Sequence, residues 1–200
     1  MHKNYLAHHF NIFDACVLVL LALLVVPAAL ATTLARMDLD ELTRTAAVVA
    51  RARCLATSSR WEDGHLWTLT IFEVTEVWKS ETPRTIVVRL VGGSDGHRTV
   101  QVDGVPRFRV GEEVVLFLEF SGRGELTVTS WAQGTFRIHR NPQTREESVT
   151  QDTSGLGVLD PATRAFHPGG VRQMTMGEFR EHILRALSGA RGRQPKEEQP

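Results

Sequence analysis

The fold class this sequence predicts is mainly β: a small OB-like antiparallel Greek-key barrel with an N-terminal and a C-terminal flanking helix. Three observations predict it. Apolar residues recur with period two in a series of segments separated by Gly, Pro, Asn and Asp. The two opening segments, Ala47–Trp61 and Leu66–Trp78, are long enough for each strand to bend and serve both sheets of a five-stranded barrel. Helical spacing follows only two capping boxes, one near each end of the chain. An immunoglobulin-type sandwich accommodates the long irregular middle segment less well.

Residues 1–31 stand apart from this pattern. A polar stretch containing Lys3 precedes an unbroken apolar run, Cys16–Val26, which Pro27 ends. Ala29 and Ala31 then place small residues at alternate positions, as a signal peptidase requires, so the segment reads as a signal peptide cleaved after Ala31. The run is shorter than the roughly 20 residues of a membrane span. The alternative is an uncleaved N-terminal membrane anchor over residues 15–31. The single domain then covers residues 32–187, and the Gly-, Arg-, Pro- and Glu-rich residues 188–200 read as a disordered polar tail.

Within the domain, Asp38 and Glu41 form the first capping box, with Leu39, Leu42 and Ala46 at helical spacing behind it. Ala47–Trp61 and Leu66–Trp78 flank a Glu62–His65 turn and make a hairpin. The second strand changes phase: Trp67, Leu69 and Ile71 share one face, Phe72 and Val74 the other, which predicts a bulge near Thr75 and Glu76. Ile86–Val91 follows a Pro83 turn. Residues 92–110 read as one long loop with a short strand near Val100–Val102. Val114–Leu118 is apolar on both faces and predicts a strand covered on its outer side by a helix. Glu125–Trp131, Thr135–Arg140 and Glu147–Gln151 complete the strands. Thr175 and Glu178 open the last helix, with Phe179, Ile183, Leu184 and Leu187 on its apolar stripe.

Composition narrows the function. The 200 residues carry 23 Lys and Arg against 23 Asp and Glu, so no long-range field gathers polyanions and a basic nucleic-acid binder is excluded. Of the two cysteines, Cys16 lies in the signal segment; Cys54 alternates with Val48, Ala50 and Ala52 and reads as a core side chain rather than a reactive thiol. The domain therefore stands on packing alone.

No assembled catalytic set is present. Gly92–His97 collects Ser94, Asp95 and His97, the residue types of a hydrolytic triad, but as neighbours in one loop, whereas triads are assembled by the fold. His65, His97, His139, His167 and His182 are isolated, without metal-ligand spacing, and Gly155–Gly157 lacks the lysine of a phosphate loop, so neither metal nor cofactor is expected. What remains is a surface. Trp61, Trp67, Trp78 and Trp131, with Arg51, Arg53, Arg89, Arg107, Arg109 and Arg137, could furnish one. Stacking aromatics beside cations suit a binding face on an OB barrel, although Trp67 and Trp78 equally suit packing under the helices. The residues expected at a ligand or partner surface are Trp61, Trp67, His97, Arg107 and Phe108.

Residues 46–53, 74–79, Gly92–Gly93 and 105–118 resemble a group of uncharacterised exported bacterial proteins over about residues 37–187; the Pro106-x-Phe108-x-x-Gly111-Glu112-Glu113 segment is the most specific piece. More remotely, the order of elements is similar to the barrel of tissue inhibitors of metalloproteinases and netrin-like modules. The metal-chelating N-terminal cysteine of those inhibitors has no counterpart near Thr32, so their inhibitory device is not implied. The expectation is a non-enzymatic binding or interaction module of the periplasm, envelope or exterior, with a protein or oligosaccharide partner and no nucleic acid. The alternatives are a membrane-tethered structural protein and a hydrolase using the Gly92–His97 loop.

Overall fold

The computed structural model describes residues 34–153, 156–160, 163–168 and 170–191. Residues 1–31, read from the sequence as an export signal, and residues 192–200 lie outside them. Strand β1 (Leu34–Ala35) leads to helix α1 (Leu39–Thr45), capped as its box predicts: Asp38 Oδ1 accepts the Glu41 amide at 2.7 Å. Strands β2 (Val48–Glu62) and β3 (His65–Lys79) form the long hairpin. Its loop is Asp63-Gly64, both at positive φ (51° and 76°), the two-residue geometry whose twist matches the flanking strands.

β4 (Thr85–Val91) follows, then the small hairpin β5 (Gly93–Ser94) and β6 (Thr99–Val100). β7 (Glu113–Phe120) and β8 (Leu126–Val128) complete the barrel. The ring runs β2–β3–β4–β8–β7 and back to β2. Every contact in it is antiparallel except β4–β8, a parallel join at a single residue pair, Val88 and Leu126. Five strands in this order, closing between the third and the fifth, make the OB-like Greek-key barrel the sequence predicts.

β7 also carries the rest of the sheet. Its C-terminal half pairs with β8, while Val114–Leu116 pair with β9 (Thr135–Arg140), which pairs in turn with β10 (Glu147–Gln151). β13 (Met174–Thr175) pairs with β10 and leads into helix α2 (Met176–Arg191). β11 (Gly157–Asp160) and β12 (Ala165–Pro168) form a hairpin beside β1.

The phase change in β3 is a bulge at the expected place. Arg51 pairs with Glu76 and Ala52 with Val74, so Thr75 is extra, and its hydroxyl donates to the Arg51 carbonyl at 3.2 Å. Two more irregularities, at Leu55 and Trp78, let the long strands serve two cores. Inside the barrel, Val48, Ala50, Ala52 and Cys54 pack with Phe72, Val88 and Leu116. Outside β7, Val49, Trp78, Val115, Phe117 and Phe136 pack under the two helices. Phe179 of α2 sits 6.4 Å from Phe117 and 4.6 Å from Phe136, ring centre to ring centre, so the doubly apolar β7 is covered by a helix as expected.

Several expectations need correction. The segment Glu125–Trp131 is strand only over Leu126–Val128; Ser130 and Trp131 adopt left-handed backbone (φ 49° and 52°) and start a 3-10 turn, Trp131–Gly134. The short strand in the middle loop is Thr99–Val100 and pairs with Gly93–Ser94. The domain does not stop at Leu187: α2 continues to Arg191, and Ser188 keeps helical geometry by donating its hydroxyl to the Leu184 carbonyl at 2.8 Å. Leu184 is 44% exposed, because it falls one residue beyond the stripe set by Phe179 and Ile183. Strands β1, β11, β12 and β13 were not legible, since two to four residues carry no periodicity.

Candidate functional site

The outer face of the β2–β3–β4 sheet is less polar than a solvated face. The register aligns Arg60, Trp67 and Val91 in one row, Ser58, Leu69 and Arg89 in the next, and Ala56, Ile71 and Val87 in the third. Ile71 and Val87 are 36% and 47% exposed. At the end of this face nearest the Asp63-Gly64 loop, β4 and β8 diverge past their single bridge. A recess of about 340 Å³ occupies the gap, walled by Trp67, Arg89 and Val91 on one side and Arg123, Thr127 and Trp131 on the other.

The chemistry of the recess is specific. Arg89 is 6% exposed, and its guanidinium lies 4.3 Å from the centre of the Trp67 ring. It contacts Glu125 at 3.0 Å and Glu62 at 3.2 Å. Arg123, from the β7–β8 loop, reaches Glu62 at 3.4 Å and Asp63 at 3.3 Å, joining that loop to the β2–β3 turn. Trp131 faces them from a backbone conformation that bulky residues rarely adopt and that the surrounding structure must hold in place. An apolar hollow with two tryptophans, a buried cation and a rim of paired charges can stack or enclose a flat or aliphatic group.

A second recess, about 260 Å³, lies on the other side of the end of β4. Its lining is rich in hydroxyls, from Thr57, Ser59, Thr68 and Thr70, with Arg107 and Phe108. Ser59 and Thr68 hydroxyls lie 2.9 Å apart, and Thr68 donates to the Gly92 carbonyl at 2.6 Å. Gly93 (φ 132°) crosses so close that an added Cβ would stand 2.1 Å from Thr68 Oγ1.

The sequence-predicted residues divide between these places. Trp67 is in the first recess; Arg107 and Phe108 line the second. Phe108 is only 7% exposed and meets Phe72 edge-on at 5.0 Å, so it belongs to the barrel core rather than to an open surface. Trp61 is 44% exposed, and its indole N–H donates to Asp95 Oδ2 at 2.7 Å, fastening the hairpin tip to the β5–β6 turn. His97 is exposed at that turn. Asp95 Oδ1 accepts the amides of Arg98 and His97 at 2.7 and 2.8 Å. Those bonds, led by the Arg98 amide and followed by the Trp61 indole, hold the Asp95 carboxyl below its ordinary range. Its oxygens thus serve the turn and the indole, and Ser94 Oγ accepts from Thr99 at 3.0 Å, so the Gly92–His97 residues are arranged as a capped turn.

Other cations in the expected surface are engaged. Arg51 binds Glu113 and Glu147, Arg53 binds Glu113, and Arg137 binds Glu112 and Asp152. Trp78 is 8% exposed and packs edge-on against Phe179, as the packing alternative predicts, whereas Trp67, for which the same alternative was open, lines the recess instead. Among the described residues no group of three or more His, Cys, Asp or Glu side chains is placed to hold a metal, and no helix is long and apolar enough to cross a membrane. The His167 side chain lies outside the described set. The sequence contains Arg89 and Trp131 as candidates but no signal that singles them out; their meeting depends on the β4–β8 closure. No protein-family model matches the chain, and no curated protein matches it in sequence.

Proposed function

We propose that this chain is an exported, non-enzymatic binding module whose ligand seats in the recess between β4 and β8, against Trp67 and Trp131. The observation that carries the reading is the position of that recess. It opens beside the second and third barrel strands, between the first-to-second and fourth-to-fifth strand loops, where OB barrels take their ligands. Support also comes from its size and apolar lining, which fall within the range of ligand sites. The layout of residues 1–31, read as an export signal, supports a location in the periplasm, at the envelope or outside the cell. Neutral overall charge favours a protein or oligosaccharide over a polyanion.

Position-specific photo-crosslinking in the producing cell tests this. A benzophenone amino acid is placed at Thr127 in the recess and, in separate chains, at His97 and His139, both exposed outside it. The expected result is a discrete adduct from position 127 that is weak or absent from 97 and 139. Equal adducts from all three positions, or none from 127, overturn the proposal.

A further inference from the structure

The gap beside the recess is bounded by backbone as well as by side chains. Gly92 donates its amide to the Leu66 carbonyl at 2.7 Å, and the β3–β4 register runs without a break from Phe72–Ile86 to Trp67–Val91. In an antiparallel pair, main-chain groups alternate inward and outward. Leu90 therefore turns its N–H and C=O toward β3, while Arg89 and Val91 turn theirs the other way, toward β8. The join to β8 is the single parallel pair Val88 and Leu126, made through the Val87 carbonyl and the Arg89 amide, so past it the Arg89 carbonyl and both main-chain groups of Val91 have no ladder partner on the β8 side among the described residues. On the opposite bank, β8 spends its other edge on β7. The barrel wall thus contains an opening flanked by the edges of two strands.

Charge identifies the class of group that fits. Around the opening stand Arg60, Arg89 and Arg123 against Glu62, Asp63 and Glu125, and each is within 3.5 Å of an opposite charge in this set. The rim is balanced and internally paired, so it complements an uncharged occupant and offers no cation to a phosphate or carboxylate. Glu62 Oε2 and Arg89 Nη2 are buried without a hydrogen-bond partner, but they face one another as an ion pair at 3.2 Å rather than facing a sugar hydroxyl. What stands without a ladder partner on the β8 side is the Arg89 carbonyl and the amide and carbonyl of Val91, which match another polypeptide backbone.

We infer that a partner polypeptide adds an extended segment as a strand along the edge of β4 in this gap, seating a neutral aliphatic or aromatic side chain against Trp67 and Trp131. The inference rests on the binding-module reading and names its ligand class. Backbone pairing with the Arg89 carbonyl and with the amide and carbonyl of Val91 supplies sequence-tolerant affinity, and the two-tryptophan recess selects the anchor. The left-handed backbone at Trp131 holds that ring at the mouth before the partner arrives.

Capped peptides Thr-Val-X-Val-Thr-Val, with X as Ala, Leu, Phe, Asp or Lys, test it on the full chain by calorimetry and hydrogen exchange. Binding is expected to be about tenfold tighter for Phe than for Ala. Asp and Lys should bind no better than Ala, and exchange should slow at Val91. Alternate N-methylation of the Phe peptide, which removes its strand-pairing N–H groups without touching the protein, should weaken binding about tenfold. In Trp67→Ala, checked for folding by circular dichroism, the preference for Phe should vanish. No binding by any peptide at millimolar concentration, unchanged affinity after N-methylation, or equal affinity for Ala and Phe overturns the inference. A neutral hexasaccharide that slows exchange at the recess where peptides do not also overturns it, while leaving the binding module standing. Loss of the position-127 crosslink would instead remove both.

Discussion

Arg89 and Trp67 sit on adjacent strands one diagonal step apart, and the guanidinium of Arg89 lies 4.3 Å from the centre of the Trp67 ring. The contact orients both: Trp67 braces a nearly buried cation, and that cation holds Glu62 at the end of β2 and Glu125 in the β7–β8 loop. Removing the cation leaves Glu125 without its ion pair and Glu62 held only by the exposed Arg60 and Arg123. Arg89→Ala is expected to cost about 2–4 kcal/mol in urea unfolding. Arg89→Lys should recover less than half of this, because an ammonium cannot lie flat on the indole while spanning both acids. A loss under about 0.5 kcal/mol for the alanine variant would show that the contact is incidental.

Phe179 is where α2 meets the sheet, with Trp78, Phe117 and Phe136 around it. Phe179→Ala should lose about 3–5 kcal/mol and shift Trp78 emission to the red. Leu184→Ala, at an exposed position of the same helix, should stay within about 0.5 kcal/mol of the parent. Equal effects at the two positions would mean that the helix does not pack as described.

Acid should loosen the strap between the barrel and its sheet extension. Hydrogen bonds from Arg51, then Arg140, hold the Glu147 carboxyl down at about 2, against an ordinary 4.5, despite the opposing effect of burial. Arg51, with Arg53 beside it, lowers Glu113 as well. A carboxyl depressed by folding stabilises fully above its unfolded value and loses that stabilisation as pH falls toward its folded one. The unfolding midpoint should therefore drop between about pH 5 and pH 2. Glu147→Gln should be less stable than the parent at pH 7 by about 1–3 kcal/mol and show a shallower slope in the acid window. Parallel pH profiles for the two proteins would contradict the assignment.

The mature N-terminus tests export separately from binding. Intact-mass analysis of chain recovered from its producing cell is expected to show a start at Thr32. A start at Met1 would replace a free module with a tethered one.

The barrel was legible because its signals are local and strong. Asp38 and Thr175 announce the helices by side chain–backbone bonds within four residues, and both caps form, Glu178 reaching back to the Thr175 amide at 3.2 Å. Cys54 alternates with buried alanines and is itself 1% exposed. The bulge at Thr75 showed as a slip in hydrophobic phase. The site was only half legible. Trp67 was among the expected surface residues, but its partners arrive from 22 and 64 residues away, brought by a one-pair closure that no periodicity encodes. Trp131 lay in what read as continuous strand, where nothing in a single sequence marks the left-handed turn at Ser130. Phe108 misled because an aromatic in a polar, Gly-rich loop resembles a surface anchor, whereas here the loop folds its ring onto Phe72.

The most direct measurement is a titration of the isotope-labelled full chain with phenol and with indole, followed by amide and indole N–H resonances. A ligand site between β4 and β8 predicts saturable shifts at the Trp67 and Trp131 indoles and at the amides of Val91 and Thr127, all absent in Trp67→Ala. Shifts confined to residues 92–108, or a weak linear drift spread over the whole barrel, would contradict it.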